Sequence, residues 1–253
     1  KKEKNNRIIE LKKGSTCPSY FSTLNDMSLL SEIIPEITAL KGLSQPKEHH
    51  TLDVLGHTIK SLDHLKTKDY RVAMAMLLHD IGKPETTQCV NDKCIAHGHQ
   101  EVSATKSKAI LERMRFSQKD VKYITNLIQN HHILHNALDD PKISDKAIRR
   151  LVREHGEYLP EIEIMTRADI TSDNPHAKRE IAKLDTFMTR VHNVQTQSPE
   201  LQTFILAITG HDLMDYGYKG KEIGDMKKYL EQEVIDGRIE NKKDVLLQRL
   251  KKK

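Results

Sequence analysis

The strongest chemical signal of the chain lies at residues 78–84, which read Leu-His-Asp-Ile-Gly-Lys-Pro. An apolar run over 73–78 ends in His79 and Asp80, and a glycine and a proline then stop the helix. Imidazole and carboxylate groups are ligands for divalent cations, and Lys83 adds a charge suited to phosphate. The alternative is a polar helix end with a hydrogen-bonded histidine and a capping aspartate.

Other histidines and aspartates occupy apolar or helix-terminal positions in four further segments. These are His57, then His97 and His99, then His131 and His132, and finally Asp169. A helical bundle builds a metal site from inward side chains on facing helices, whereas one such histidine alone is more often a core residue. Because five separate segments share the feature, it favours a metal site over isolated core histidines.

The elements that must position these residues are predicted to be helices. The chain has 253 residues, 4% aromatic residues and no Trp, which favours a helical bundle over a sheet. Apolar spacing and stop signals predict helices at about 26–34, 50–66, 70–80, 99–114, 117–134, 143–155, 159–171, 175–196, 199–209, 222–236 and 241–251. Ser144 is expected to cap the helix at 143–155. We therefore predict an all-α helical bundle with one small β-hairpin near residues 86–97 and a C-terminal helical appendage.

The cysteines and the apolar runs bear on the cellular setting. Three cysteines, Cys17, Cys89 and Cys94, make an odd number for a chain of this size. We therefore expect no disulfide framework and a reducing, cytoplasmic environment. Cys89 and Cys94 are spaced as residues on facing strands rather than as a zinc knuckle. No apolar run approaches the roughly 20 residues that span a bilayer, so no membrane partner is predicted.

Positive charge is concentrated at the two ends of the chain. Residues 1–13 and residues 216–253 each carry a net charge of +4, whereas the whole chain carries +5. Both ends could contact a phosphate backbone. The alternative is a pair of solvated, lysine-rich helix faces.

The order of the candidate ligands resembles that of one superfamily. His57, the pair His79-Asp80 and Asp169 occur in the sequence order of the HD superfamily of metal-dependent phosphohydrolases. His99 and the pair His131-His132 match the additional histidines of members that hold two metals. The resemblance implies a helical HD domain with a site for one or two divalent ions.

A more specific resemblance extends over roughly residues 20–250. It is to the region that follows the neck in bacterial CCA-adding tRNA nucleotidyltransferases, the poly(A) polymerase-like family. The matching positions are 34–37, 45–46, 52–54, 57–58, 208–214, Gly217, Gly220, 223–224, Gly237 and Asn241. It implies a basic lead-in over 1–25 that is a possible neck remnant, an HD domain over 26–196, and a C-terminal helical tail over 197–253.

The sequence departs from that family in one respect. It has no Asp-x-Asp element after a Gly-Gly turn, and no strand-rich segment that could carry one. We therefore expect it not to add nucleotides as it stands. Two explanations remain open, a C-terminal portion of a longer enzyme or a stand-alone relative without the head, and the absence of an initiator Met favours the first or a trimmed start.

The resemblance assigns roles to individual residues. His57, His79, Asp80 and Asp169 are expected to bind a first metal, and His99 and His131 a second, with Asp80 between them and His132 as the alternative to His131. The donor set suits Mn²⁺, Fe²⁺, Ni²⁺, Co²⁺, Zn²⁺ or Mg²⁺. Lys83 and Arg167 are expected to neutralise charge on a phosphoryl group beside the catalytic Asp80, or else to be surface charges. His49, His50, His64 and His97 are left out of the site.

Two functions follow from these expectations. The first is a metal-dependent phosphohydrolase that acts on a phosphomonoester or a cyclic phosphodiester, with a phosphorylated nucleotide or the 2′,3′-cyclic end of an RNA as substrate. The RNA part of this hypothesis comes from the resemblance and from the basic ends. The second is a non-catalytic tRNA- or RNA-binding body whose metal site is vestigial or structural.

Overall fold

A computed structural model of the chain describes residues 19–26, 28–45, 51–90, 93–140, 142–198 and 205–250. They form two compact units. The first unit comprises the described residues up to Asp139 together with Pro160–Asp185, and the second comprises Asp140–Leu159 and the described residues from Thr186 onward. This division groups 140–159 and 186–196 with the C-terminal part of the chain, whereas the sequence assigns them to a domain over 26–196. The predicted extent of the HD domain, residues 26–196, therefore stays a prediction.

The predicted fold class is confirmed, because helices dominate and the described strands form a single hairpin. In chain order the elements are α1 (Ser19–Asp26), α2 (Leu29–Ile33), a 3-10 helix (Pro35–Leu40), α3 (Val54–His64), α4 (Tyr70–Leu78), α5 (Lys83–Thr86), β1 (Thr87–Val90), β2 (Lys93–Ala96), α6 (His99–Arg113), α7 (Gln118–Asn130), α8 (Ile133–Leu138), α9 (Asp145–His155), α10 (Leu159–Asp173), α11 (Ala177–Gln197), α12 (Gly210–Asp215), α13 (Lys221–Ile235) and α14 (Lys243–Gln248).

Side-chain caps fix where several helices begin. The carboxylate of Asp53 accepts a hydrogen bond from the backbone of Gly56 and starts α3, and Asp69 starts α4 in the same way. Ser144 caps α9 as predicted, through a hydrogen bond from the backbone of Ala147. The caps on α3 and α4 set the start of the two helices that carry His57 and lead to His79.

The core of the first unit is built around α4. Every residue from Val72 to Leu78 is buried, so this helix is apolar on all sides. It packs against α3 and α7, and α7 in turn packs against α6. A helix with no exposed face holds its C-terminal residues firmly, and those residues are His79 and Asp80.

The hairpin precedes α6 and contains a disulfide. β1 and β2 pair antiparallel with Cys89 opposite Cys94, which confirms the expectation of facing strands. The two sulfur atoms are bonded to each other. The sequence predicts no disulfide framework, and this single bridge forms because directly opposite positions in a two-stranded ribbon bring two cysteines within bonding reach.

Several predicted helices differ from the observed ones, and the one predicted at 50–66 begins at Val54. The segment predicted at 26–34 contains the last residue of α1, Asp26, and then α2 from Leu29, and Pro35 starts a 3-10 helix. The helix predicted at 117–134 is two helices, with a turn at His131 and His132 between α7 and α8. Residues 205–209 are not helical, because Thr209 caps α12 instead. The remainder of the helix predicted at 199–209, and also Cys17, Pro46, His49 and His50, lie outside the described residues.

The second unit has a small core of its own. Its buried members are Ile208, Leu213, Tyr218, Leu230, Val234, Leu246 and Leu250. The buried carboxylate of Asp236 at the end of α13 binds Lys146 and Arg150 of α9. Within the described ranges of the whole chain, no helix is both long enough and apolar enough to cross a bilayer.

Candidate metal centre

Five elements of the first unit bring the predicted ligands together. His57 comes from α3, His79 and Asp80 follow α4, His99 begins α6, His131 and His132 form the turn after α7, and Asp169 lies on α10. Two groups of these residues have ligand atoms within 4.8 Å of one another, and either could hold a metal ion. The first group is His57, His79 and Asp80, and the second is His99, His131 and His132.

Three of the imidazoles are oriented by the main chain. The Nδ1–H groups of His79, His99 and His131 donate to the carbonyl oxygens of Met76, Ala96 and Ile128, at 2.6, 2.8 and 2.6 Å. A carbonyl oxygen accepts only, so Nδ1 carries a proton and Nε2 is the ring atom that faces the site. This is the outer-shell arrangement that fixes a histidine as a metal ligand.

His57 is held by two carboxylates. Its Nδ1 lies 2.9 Å from Oδ1 of Asp173, and its Nε2 lies 2.7 Å from Oδ1 of Asp169. Burial lowers the pKa of His57, but the two carboxylates outweigh it and raise the pKa to about 9. Asp173 is itself fixed, because its Oδ2 accepts hydrogen bonds from the backbone of Thr51 and Leu52. Asp173 was missed in the sequence, although it lies one helical turn beyond Asp169.

Asp80 stands between the two groups of ligands. Its Oδ1 lies 3.3 Å from Nε2 of His99, and its Oδ2 lies 3.3 Å from Nε2 of His79 and 2.7 Å from the ammonium of Lys83. Both oxygens are buried without a hydrogen bond of good geometry among the described residues. Burial raises the pKa of Asp80, but His79 and Lys83 lower it well below its usual range. A buried carboxylate beside imidazole lone pairs suits a bound cation.

The pair His131 and His132 is kept neutral. Burial and the neighbouring imidazoles lower the pKa of His131 well below its usual range, and the same causes lower that of His132 to about 3. A histidine must be neutral to bind a metal, so both are in the binding-competent state. Of these two, His131 is the more deeply buried, and its Nε2 lies 3.3 Å from Nε2 of His99.

The family model for the HD domain matches residues 48–174. The chain belongs to the HD domain family. This confirms the resemblance drawn from the order of the ligands.

Curated relatives of this chain include two tRNA nucleotidyltransferases and a multifunctional CCA protein. An A-adding tRNA nucleotidyltransferase of Deinococcus radiodurans is 34% identical over 153 residues, which cover 58% of this chain and 34% of that protein. A CC-adding tRNA nucleotidyltransferase of Thermus thermophilus is 26% identical over 230 residues, which cover 87% of this chain and 50% of that protein. A multifunctional CCA protein of Pseudomonas savastanoi is 26% identical over 217 residues, which cover 83% of this chain and 49% of that protein. The chain thus spans about half, or less, of the length of these relatives.

His135 is a further member of the HD site that is not among the residues predicted from the sequence. Its Nε2 lies 2.8 Å from Oδ2 of Asp169, whose other oxygen faces His57. Burial raises the pKa of Asp169, but the imidazoles of His135 and His57, at 2.8 and 2.7 Å from its oxygens, lower it well below its usual range. The spacing held a signal, because His135 follows His132 by three residues on what becomes one turn of helix.

Gly82 links α6 to the turn that contains His79 and Asp80, here called the HD turn. Its N–H donates to the hydroxyl of Ser103 at 2.9 Å. A Cβ at this position would lie 2.5 Å from the backbone nitrogen of Ser103 and 2.8 Å from the carbonyl oxygen of His99. Glycine is therefore required for the close approach that brings Asp80 next to His99.

The two predicted phosphate-neutralising cations differ in position. Lys83 lies in the site, where it binds Asp80 and donates to Oε1 of Gln45 at 2.7 Å. Arg167 binds Glu163 and Asp185 at 2.7 and 2.6 Å. It is absent from the described residues that line the cavity beside the metal ligands, so this geometry does not support a role in charge neutralisation.

A cavity of about 530 Å³ opens beside the HD ligands. His79, Asp80, His99, His132 and Asp169 line its floor together with Lys83. His97 lines it as well, although alternation along an extended strand predicts the opposite side for this residue. The reason is that β2 ends at Ala96, so the alternation no longer applies. A volume of this size is typical of sites for small organic ligands.

Proposed function

We propose that this HD domain is a metal-dependent phosphohydrolase. The observation that carries the proposal is Asp80, a buried carboxylate set between Nε2 of His79 and Nε2 of His99 with the ammonium of Lys83 beside it. Isolated core histidines would not require such a carboxylate among them. The adjoining cavity gives a substrate access to the ligands.

The residues divide into two sets of metal ligands. His57, His79, Asp80 and Asp169 hold one ion in this proposal, and His57 binds it after losing the Nε2 proton that faces Asp169. His99 and His131 hold a second, with Asp80 shared and His132 on the side of the cavity. The donors are neutral imidazoles and carboxylates, which suit Mn²⁺, Fe²⁺, Ni²⁺, Co²⁺ or Zn²⁺, and Mg²⁺ with more water ligands.

The chemistry is the hydrolysis of a phosphoester. A divalent ion in the site supplies Lewis acidity and brings the pKa of a water molecule toward neutrality. Water oxygen forms a bond to phosphorus, the ester P–O bond breaks, and the departing oxygen takes a proton. The part of Lys83 is to hold its ammonium beside Asp80, where it offsets negative charge on the phosphoryl oxygens.

The substrate class in this proposal is a phosphorylated nucleotide or an RNA end, including a 2′,3′-cyclic phosphate. Support comes from the relatives, which are tRNA nucleotidyltransferases by name. Further support comes from the net charge of +4 over residues 216–253, which favours contact with a phosphate backbone.

Hydrolysis of p-nitrophenyl phosphate with added Mn²⁺, Ni²⁺, Co²⁺ or Mg²⁺ tests the proposal. His79→Ala and Asp80→Ala should each abolish divalent-dependent release of nitrophenol while the far-ultraviolet circular dichroism stays helical. His97→Ala is the matched control, since this histidine lines the cavity outside the two ligand groups. Undiminished hydrolysis by either ligand variant would contradict the assignment.

The second candidate is a non-catalytic tRNA-binding body with a structural metal site. The observation that favours it is the naming of the relatives for nucleotide addition to tRNA, with the match covering 87% of this chain in one of them. In that case the purified protein would bind tRNA with a steep salt dependence and hydrolyse no phosphoester with any of these ions. A tRNA affinity that does not change with salt concentration would count against this candidate.

A further inference from the structure

The rim of the HD cavity carries polar and apolar groups that hydrolysis at the metal centre does not use. These groups, here called the rim, are Arg179, Glu180 and Lys183 of α11 together with Ile95, Leu138 and Ile170. A small phosphomonoester would need only the ligands and Lys83 at the floor. The cavity therefore holds more recognition surface than the reaction requires.

We propose that this rim binds the phosphodiester next to the reacting phosphate, so that the cavity selects the end of a polynucleotide over a free mononucleotide. The inference rests on the proposed function, because it assigns a substrate class to the same site. Arg179 and Lys183 are the residues that contact the second phosphate. Glu180 is the residue that holds the two cations in place.

The charges at the rim suit one phosphodiester. Nε of Arg179 and Nζ of Lys183 each lie 3.1 Å from Oε1 of Glu180. Two cations share one carboxylate, so the group has a net charge of +1 and an attraction for an anion. The side chains of Arg179 and Lys183 are 68% and 48% exposed, so a phosphate can reach both with little loss of hydration.

The apolar part of the wall suits a base or a ribose. Ile95 is 50% exposed, and it lines the same cavity as Leu138 and Ile170. A nucleoside bound there would cover apolar surface that water otherwise contacts. Together with the cations, this wall presents the two surfaces that a nucleotide unit offers, an apolar ring and a charged linkage.

The experiment compares two ligands on the chelator-treated full chain, so that no hydrolysis occurs. The first is a fluorescein-labelled tetranucleotide with a 3′-phosphate, followed by fluorescence anisotropy, and the second is a nucleoside 3′-monophosphate that competes with it. Arg179→Gln with Lys183→Gln should lower the ratio of tetranucleotide to mononucleotide affinity about tenfold. The same double variant should reduce the salt slope of tetranucleotide binding by about 0.7 for each phosphate that the protein no longer neutralises.

Two further variants make the result specific. Lys108→Ala with Lys178→Ala removes the same charge from exposed positions that are absent from the described cavity lining, and it should leave the ratio unchanged. Glu180→Gln should raise tetranucleotide affinity, because it releases both cations from their carboxylate. An increase from one variant and a decrease from the other cannot come from a general loss of folding.

The outcomes separate this inference from the proposed function. Equal weakening of both ligands by the Arg179 and Lys183 variant, or a fall in affinity with Glu180→Gln, would overturn the second-phosphate site. Absence of p-nitrophenyl phosphate hydrolysis by the wild-type protein with every ion would overturn the phosphohydrolase and leave the binding comparison intact as a separate result.

Discussion

The Nε2 atoms of His99 and His131 lie 3.3 Å apart, although each ring already donates its Nδ1–H to a main-chain carbonyl. Two lone pairs therefore face each other, and Oδ1 of Asp80 lies 3.3 Å from the same atom of His99. Three acceptors at one point repel unless a proton or a metal ion lies between them. The lowered pKa of His131 means that this ring carries no second proton, so its Nε2 keeps a lone pair with which to bind a cation.

This convergence predicts a loss of metal on removal of one imidazole. His99→Ala should lower the divalent metal retained after dialysis by about one equivalent, because the second ligand group then has too few donors to hold an ion. Elemental analysis of protein purified without chelator measures it. His97→Ala should retain the wild-type content, and equal metal in the His99 variant would show that this imidazole is not a ligand.

The carboxylate of Asp173 should tune metal affinity without binding metal itself. Its two oxygens accept from His57 on one side and from the backbone of Thr51 and Leu52 on the other. In Asp173→Asn the amide nitrogen must face one set of donors, so one set loses its acceptor. We expect metal affinity to fall about 10- to 100-fold, the usual effect of losing such a partner.

A competition titration against a metal-binding dye measures the effect of Asp173→Asn. Asp225→Asn is the matched control, because it makes the same chemical change at an exposed position of α13 in the second unit. Unaltered affinity in the Asp173 variant would mean that the orientation of His57 does not depend on this carboxylate.

Gly82→Ala should damage both stability and the site. The added methyl group would meet the backbone of α6 at Ser103 and His99, so the HD turn and α6 must move apart. We expect the free energy of unfolding to fall by roughly 1–3 kcal/mol, the usual cost of overpacking. Urea unfolding measures this, with retained metal as a second readout.

Gly224→Ala supplies the comparison for that experiment. A Cβ at Gly224, inside α13, meets no atom within 4 Å. Alanine is the better helix former by roughly 0.8–1.0 kcal/mol, so this variant should match or exceed the stability of the wild-type protein. Similar losses in the two variants would show that the close approach at Gly82 is unimportant.

Much of this site can be predicted from the sequence, because its ligands lie at helix boundaries that have local sequence signals. The apolar run before His79 and the stop at Gly82 predict the position of the HD turn, and the order of the histidines predicts the other ligands. His135 and Asp173 are harder to predict. Each lies one helical turn from a predicted ligand, and the local sequence does not show which way its side chain points. Their roles depend on packing between α8, α10 and α3, which only the folded chain displays.

The errors have physical causes of the same kind. The apolar periodicity over 117–134 continues through the turn at His131, so spacing alone could not separate α7 from α8. Arg167 lies two residues before Asp169, and helical positions two apart point to nearly opposite sides, so its guanidinium binds Glu163 and Asp185. Its role beside a phosphoryl group stays a prediction.

The buried carboxylate of Asp236 should make the second unit sensitive to acid. Burial raises its pKa, but Lys146, Arg150 and Arg238 outweigh burial and lower the pKa below its usual value. A depressed carboxyl pKa contributes stability above the pKa of the unfolded chain, about 4, and loses it as the pH falls through the lower folded value. Asp236→Asn should therefore lower the urea midpoint at pH 7, and the difference from the wild-type protein should shrink below pH 4. Asp225→Asn should follow the wild-type curve, and a constant difference across this pH range would rule out ionisation of Asp236 as the source.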